Sequence, residues 1–91
     1  MYKVILSVEA ERFLKKLQGE PLLRVVEKLK WLQQKADFII HHPLSSLPED
    51  LKGLYRIRVG DYRIIYWMHT ETKVLEIFSI EHRSKVYKSL Q

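Results

Sequence analysis

The sequence predicts a small α+β domain in which a helical hairpin packs on a mainly antiparallel four-stranded sheet, in the order β-α-α-β-β-β. Three observations predict this fold class. The length of 91 residues suits a single core, the N-terminal half carries two amphipathic helical patterns, and the C-terminal half carries three strand-like runs. No linker, repeat or low-complexity tract interrupts the chain, so we expect one domain over residues 1–91.

The N-terminal half is predicted to form a strand and two helices. Residues 2–6 are apolar and β-branched, which favours a short strand. Ser7 can cap a helix over about 8–18, which Gly19 is expected to end. Pro21 suits the first turn of a second helix, whose apolar stripe is Leu22, Val25, Val26, Leu29 and Leu32. The short connection predicts that the two helices are antiparallel.

The C-terminal half is predicted to be a loop followed by three strands. The helical pattern fails over residues 36–50, where Pro43 and Pro48 indicate a loop. The strand-like runs are 54–59, 62–69 and 74–80. Gly60 and Asp61 separate the first two runs as a two-residue hairpin turn.

Composition and charge exclude several classes of protein. There is no cysteine, which excludes disulfides and thiol nucleophiles and fits a reducing cytoplasm. No apolar run approaches the ~20 residues of a membrane span, and the N-terminus lacks a signal-peptide core. Residues 52–91 hold eight basic and four acidic side chains, against eight and seven in residues 1–51, within a net charge of +5. This C-terminal excess predicts an anionic partner.

Strand alternation divides the side chains of the predicted hairpin between two faces. With a two-residue turn, Arg58 lies directly opposite Arg63, and Arg56 shares their face. The other face, suited to the helices, carries Tyr55, Ile57, Val59, Tyr62, Ile64 and Tyr66. Two like charges placed opposite each other destabilise a sheet by ~0.2–1 kcal/mol, so the pair predicts an anion bridging the guanidinium groups. Alternatively, the arginines pair with Glu76 and Glu81 on the neighbouring strand.

Two segments resemble a known family. The stretch LKGLYRIRVGDYRIIY at 51–66 resembles the core hairpin of the RelE/ParE toxin superfamily, and IEHRSKVY at 80–87 is similar to the closing motif of its RelE branch. The resemblance covers essentially the whole chain and implies a RelE-like fold and a toxin of a type II toxin–antitoxin module. It further implies a ribosome-dependent mRNA endoribonuclease that cleaves mRNA in the ribosomal A site without a metal or cofactor. The implied partners are the ribosome with its rRNA, the mRNA and a cognate RelB-like antitoxin.

The resemblance also assigns candidate site residues. The catalytic positions correspond here to Arg56, Arg58, Arg63, Arg83 and Tyr87. Lys52 and His82 are assigned to substrate binding. The arginines can stabilise the charged transition state but remain protonated, so Tyr87 and His82 are the two candidates for moving the proton. If the last strand continues far enough, His82 shares a face with Ile80 and Phe78 and turns away from the phosphate.

Two other functions stay open at this stage. A toxin of the ParE branch would inhibit DNA gyrase by binding to it. An inactive basic module could keep the scaffold and bind without cleaving. Neither function requires the arginines and the tyrosine to converge on one phosphate group, so their convergence is the discriminating feature.

Four other side chains have both a structural and a functional interpretation. His41 and His42 are adjacent and lack a third ligand nearby, which favours a structural or solvent-exposed role over a metal site. Trp67 falls on the arginine face, where it could contact a base or a partner, or cover the sheet. Trp31 lies on the second helix and suits packing or an antitoxin contact better than catalysis.

Overall fold

Five strands form one mixed sheet, and two helices pack on one of its faces. The computed structural model describes residues 1–84. In chain order the elements are β1 (Lys3–Leu6), α1 (Val8–Lys16), α2 (Gly19–Lys35), β2 (His42–Pro43), β3 (Tyr55–Val59), β4 (Tyr62–His69) and β5 (Val74–His82). The sheet order is β1-β5-β4-β3-β2, with β1 parallel to β5 and every other pair antiparallel. The predicted α+β class is confirmed.

The prediction of four strands is wrong by one, because the segment between α2 and β3 contributes β2. This strand is two residues long and pairs His42 with Arg56 and Pro43 with Tyr55. So short a strand shows no alternation of apolar and polar residues, and its proline is tolerated because it lies at the sheet edge. The sequence pattern therefore indicated only a loop.

The helix boundaries differ from the prediction at one end. Ser7 caps α1 as expected, since its Oγ accepts a hydrogen bond from the amide of Ala10 at 3.0 Å. That Oγ also donates to the carbonyl of Phe78, which ties the start of α1 to β5. However, α1 ends at Lys16, and Gly19 opens α2 with φ +68° instead of ending α1. Only glycine adopts this left-handed conformation without strain.

The core lies between the helices and one face of the sheet. Val25, Leu29 and Leu32 of the predicted α2 stripe are buried. All six hairpin side chains predicted to face the helices belong to this core or pack against it. In the described part of the chain, no helix is long and apolar enough to cross a bilayer. The opposite face of the β3–β4 hairpin carries the arginines, next to the buried Ile65 and to Trp67.

Candidate anion-binding site

The β3–β4 hairpin has the predicted register. Arg58 pairs with Arg63 across the two strands, and Val59 pairs with Tyr62 at the turn. Gly60 supplies the left-handed turn residue with φ +59°. Arg58 is exposed and Arg63 is half-buried. The turn thus places two guanidinium groups on neighbouring strands of the same sheet face.

Two adjoining clefts bring four arginines together on this face. The first, of about 120 Å³, is lined by Arg58, Gly60, Asp61, Tyr62, Arg63 and Arg83. The second, of about 340 Å³, is lined by His42, Arg56, Ile57, Arg58 and Arg63. Arg58 and Arg63 line both clefts, so all four guanidinium groups border one connected, positively charged surface.

Arg83 is held at the first cleft by the hairpin turn. Its backbone amide donates to the carbonyl of Asp61 at 2.7 Å, and its guanidinium Nη1 lies 3.9 Å from the Asp61 carboxylate. Both side chains of this ion pair are largely exposed, so the pair adds little stability. Its effect is to position the cation. The hairpin turn that sets the Arg58–Arg63 pair therefore also positions Arg83, although Arg83 lies much further along the chain.

Of the two glutamates predicted to neutralise the arginines, one lies beside an arginine. Glu81 is the cross-strand neighbour of Arg63. Glu76 instead contacts His69, whose Nε2 lies 3.0 Å from the Glu76 Oε1. Within residues 1–84, the linings of the two clefts hold four arginines and one carboxylate, that of Asp61, so the clefts keep an excess of positive charge even with Glu81 beside Arg63.

Two of the predicted site residues lie away from the clefts. The His82 ring packs edge-on against Tyr62 at 5.2 Å between centroids, and its Nδ1 lies 3.0 Å from the Ser84 hydroxyl. Lys52 forms an exposed ion pair with Glu49 at 2.8 Å. Among the residues that the structure describes, neither lines an arginine cleft. Tyr87 falls outside the described residues.

Comparison with known proteins identifies the family. The family model for the ParE toxin of the type II toxin–antitoxin system parDE matches residues 4–87. The chain is a member of this toxin family. It is therefore a toxin of a type II toxin–antitoxin module, and the resemblance to the RelE/ParE superfamily is confirmed. Comparison with curated proteins finds no significant match.

Solved structures similar to this toxin come from bacteria and archaea. A chain of the toxin–antitoxin complex RelBE2 from Mycobacterium tuberculosis is 30% identical, with a TM-score of 0.72, and the match covers 90% of this toxin and 98% of that chain. The archaeal RelE–RelB complex from Pyrococcus horikoshii gives 26% identity, a TM-score of 0.66 and coverage of 92% and 97%. The intact E. coli RelBE complex is 19% identical at a TM-score of 0.72, with coverage of 90% and 96%, and supports the fold alone.

The two adjacent histidines of the toxin have different roles. His41 is structural: Nε2 donates to the Ala36 carbonyl at 2.7 Å, so Nδ1 accepts a hydrogen bond from the Tyr66 hydroxyl. Burial raises the pKa of Tyr66, which keeps that hydroxyl protonated. His42 points the other way and lines the second cleft beside Arg56. Sequence reasoning missed His42, although adjacent residues of an extended chain always face opposite sides.

Trp67 of the toxin covers the sheet. Its Nε1 donates to the Lys52 carbonyl at 2.9 Å, and its ring packs edge-on against Phe78 at 5.3 Å. The prediction that Phe78 shares a face with Ile80 is therefore wrong. A bulge between Ile65 and Tyr66 in the β4–β5 pairing changes the alternation of β5 at this level. In the part of the chain that is described, no three histidine, aspartate or glutamate side chains group closely enough to hold a metal ion.

Proposed function

We propose that this toxin is a ribosome-dependent endoribonuclease that cleaves mRNA in the ribosomal A site and so inhibits translation. One observation carries the proposal: Arg58, Arg63 and Arg83 line a single small cleft, although they come from three different strands or strand ends. A binder has no need to focus several cations on one point. A phosphoryl transfer does, because negative charge increases at one phosphorus centre.

The proposed reaction is an attack by a ribose 2′-oxygen on the adjacent phosphate. The 2′-oxygen loses its proton and forms a bond to phosphorus, and the bond from phosphorus to the 5′-oxygen breaks. The products are a 2′,3′-cyclic phosphate and a 5′-hydroxyl, which takes up a proton. The arginines stabilise the pentacovalent transition state with forked, charged donors. They cannot act as the base, because a guanidinium stays protonated.

Proton transfer is assigned to side chains near the arginines. Tyr87 keeps its proposed role as acid or base on the strength of the family resemblance alone. His42 replaces His82 as the imidazole candidate, because His42 lines the cleft with Arg56 whereas His82 packs against Tyr62. Imidazole suits proton transfer near neutral pH. Lys52 stays a proposed substrate contact that lies further from the clefts.

The proposed partners follow from the charge of the toxin and its family. The net charge of +5 favours binding to the rRNA and mRNA phosphates of the ribosome. We propose that the toxin acts in the cytoplasm, where those partners are found. A cognate RelB-like antitoxin of acidic character would neutralise it. The relatives of known structure include toxin–antitoxin complexes from three organisms, which supports a partner of this class.

A second candidate function is inhibition of DNA gyrase by binding, as in the ParE branch. The observation that favours it is the match to the ParE family model over residues 4–87. In that function the arginines would form a docking surface and no bond would be broken.

Primer extension on mRNA in a purified translation system tests the proposal. The toxin is added with and without ribosomes, and gyrase supercoiling is assayed in parallel. We expect cuts within codons only when ribosomes are present, and no such cuts with Arg63→Ala. Inhibited supercoiling together with intact mRNA would contradict the proposal and establish the second candidate.

A further inference from the structure

A groove beside α2 continues the arginine surface around the tip of the β3–β4 hairpin. It has a volume of about 460 Å³ and lies between α2 and the end of β3. Its lining residues are Arg24, Glu27, Lys28, Trp31, Arg58, Val59 and Gly60. Arg58 lines this groove and both arginine clefts, so the three form one connected surface.

Helical spacing places the groove residues of α2 on one face. Arg24, Lys28 and Trp31 stand four and three residues apart, which aligns them along the helix. Arg24 reaches the hairpin tip, since a Cβ on Gly60 would lie 3.5 Å from its Nη1. The Lys28 ammonium lies 4.3 Å from the centroid of the Trp31 ring, and this cation–π contact orients the indole. Trp31 nevertheless stays 38% exposed.

The charge of the groove favours a polyanion. Arg24, Lys28 and Arg58 face one carboxylate of the lining, that of Glu27. Arg24 also contacts Glu20 at 3.4 Å, but both side chains are largely exposed and solvent screens the pair. The groove therefore keeps a positive excess beside an accessible aromatic ring.

We infer that this groove binds single-stranded RNA flanking the phosphate held by the arginines. Trp31 stacks on a base, and Arg24 and Lys28 contact backbone phosphates. The inference rests on the proposed function, because an RNA cut internally must continue on both sides of the reacting phosphate. Unpaired RNA offers both a charged backbone and open base faces, and a basic groove with an aromatic platform matches both. An acidic protein segment is the alternative occupant, because tryptophan is also frequent at protein interfaces, and the measurements below separate the two.

Fluorescence anisotropy tests the inference with the full-length toxin. The probe is a labelled single-stranded RNA of about 12 nucleotides, carrying 2′-O-methyl riboses so that it cannot be cleaved. Trp31→Ala is expected to weaken binding roughly 5- to 150-fold, the range for one lost base stack. Trp31→Phe should bind nearly as well as the wild type, because a phenyl ring still stacks.

Charge variants give a second, independent readout. Lys28→Ala should reduce the slope of log affinity against log salt by ~0.7, and Glu27→Gln should tighten binding. The matched control is Lys30→Ala, which removes the same charge from α2 but lies about 200° around the helix axis from Lys28. This control should bind RNA like the wild type.

Different results separate the failure of this inference from failure of the proposed function. If Trp31→Ala and Lys28→Ala bind the probe as tightly as Lys30→Ala, the inference is overturned even where the wild type cleaves mRNA on ribosomes. If they instead lose affinity only for the cognate antitoxin, the groove is a protein-docking surface and the inference is again overturned. If the wild type does not cleave while the groove variants still lose RNA affinity, the proposed function fails and RNA binding by the groove stands.

Discussion

Arg58 and Arg63 lie opposite each other on adjacent strands, an arrangement of like charges that costs stability unless negative charge, from Glu81 beside Arg63 or from a bound anion, offsets it. We expect Arg63→Ala to slow single-turnover cleavage of mRNA on the ribosome by roughly 10²–10³-fold, because one contact to the charged transition state is lost. The melting temperature should stay nearly unchanged, since the side chain lies outside the helix-facing core. A thermal melt that collapses while cleavage persists would instead assign Arg63 a structural role beside Glu81.

The two histidine candidates for proton transfer differ in their surroundings. His42 lines the second cleft, whereas His82 packs against Tyr62 on the other face of the sheet. His42→Gln should therefore lower the single-turnover rate by about 10²-fold or more, the usual scale for a proton-transfer group. His82→Gln is the matched control and should have a milder effect. A dead His82→Gln enzyme and an active His42→Gln enzyme would reverse this assignment.

Tyr87→Phe isolates the remaining proton-transfer candidate by removing only a hydroxyl. We expect a loss of roughly 10²-fold in the same single-turnover assay. Normal cleavage by this variant would leave the chemistry to the arginines, His42 and ribosomal groups. Combining Tyr87→Phe with His42→Gln then tests whether the two side chains act in one step, because residues that act as a unit are strongly non-additive.

At the scale of elements, one cluster ties β1, the end of α2 and the turn before β5 together. The Asp37 carboxylate accepts hydrogen bonds from Lys73 at 2.8 Å and from the Tyr2 hydroxyl at 2.7 Å. The hydrogen bond from Lys73, followed by that from Tyr2, lowers the pKa of Asp37. A carboxyl whose pKa is lower in the folded state contributes stability above its unfolded pKa and loses it as the pH falls through the folded pKa.

Asp37→Asn should therefore lower the melting temperature near neutral pH, by a few degrees at most for so exposed a pair. The difference from the wild type should shrink as the pH falls below the ordinary range of an aspartate carboxyl, and should vanish only once the pH has passed through the lowered pKa of Asp37. Thermal melts across this range make the measurement, with the exposed Asp50→Asn as control. A deficit in Asp37→Asn that stays constant down to acid pH would mean that packing, and not the charge, stabilises the cluster.

The sequence predicts the hairpin better than its surroundings, for physical reasons. The register of β3 and β4 is predictable because a two-residue turn at Gly60 and Asp61 fixes the strand pairing. The alternation of apolar and charged residues then shows which side chains face the helices. The pairing of β2 with β3 is set by tertiary contacts, so nothing in the local pattern signals that His42 reaches the site. The bulge that turns Phe78 towards Trp67 likewise cannot be predicted from the sequence, because one extra residue leaves the strand propensity unchanged.

At the scale of the whole molecule, the basic surface runs from the second cleft past Arg58 to α2, and one acidic partner can cover it. We expect the cognate antitoxin to displace the RNA probe from the toxin. The physical reason is that both are polyanionic ligands of the same cations. Competition anisotropy measures this, with Lys30→Ala as control for general charge effects. Simultaneous binding of antitoxin and RNA would mean that inhibition works by blocking access to the ribosome.

The parallel pairing of β1 with β5 determines when the toxin can fold during its synthesis. β5 follows the other strands of the described residues, yet it hydrogen-bonds to both β1 and β4, so the sheet cannot close until Val74–His82 has left the ribosome. Long-range pairing of this kind delays folding until both partners are available. Arg83 directly follows β5, and its amide donates to the Asp61 carbonyl in the hairpin turn. A product truncated before Val74 therefore has neither a complete sheet nor a complete arginine cleft, so we expect it to lack the proposed cleavage activity.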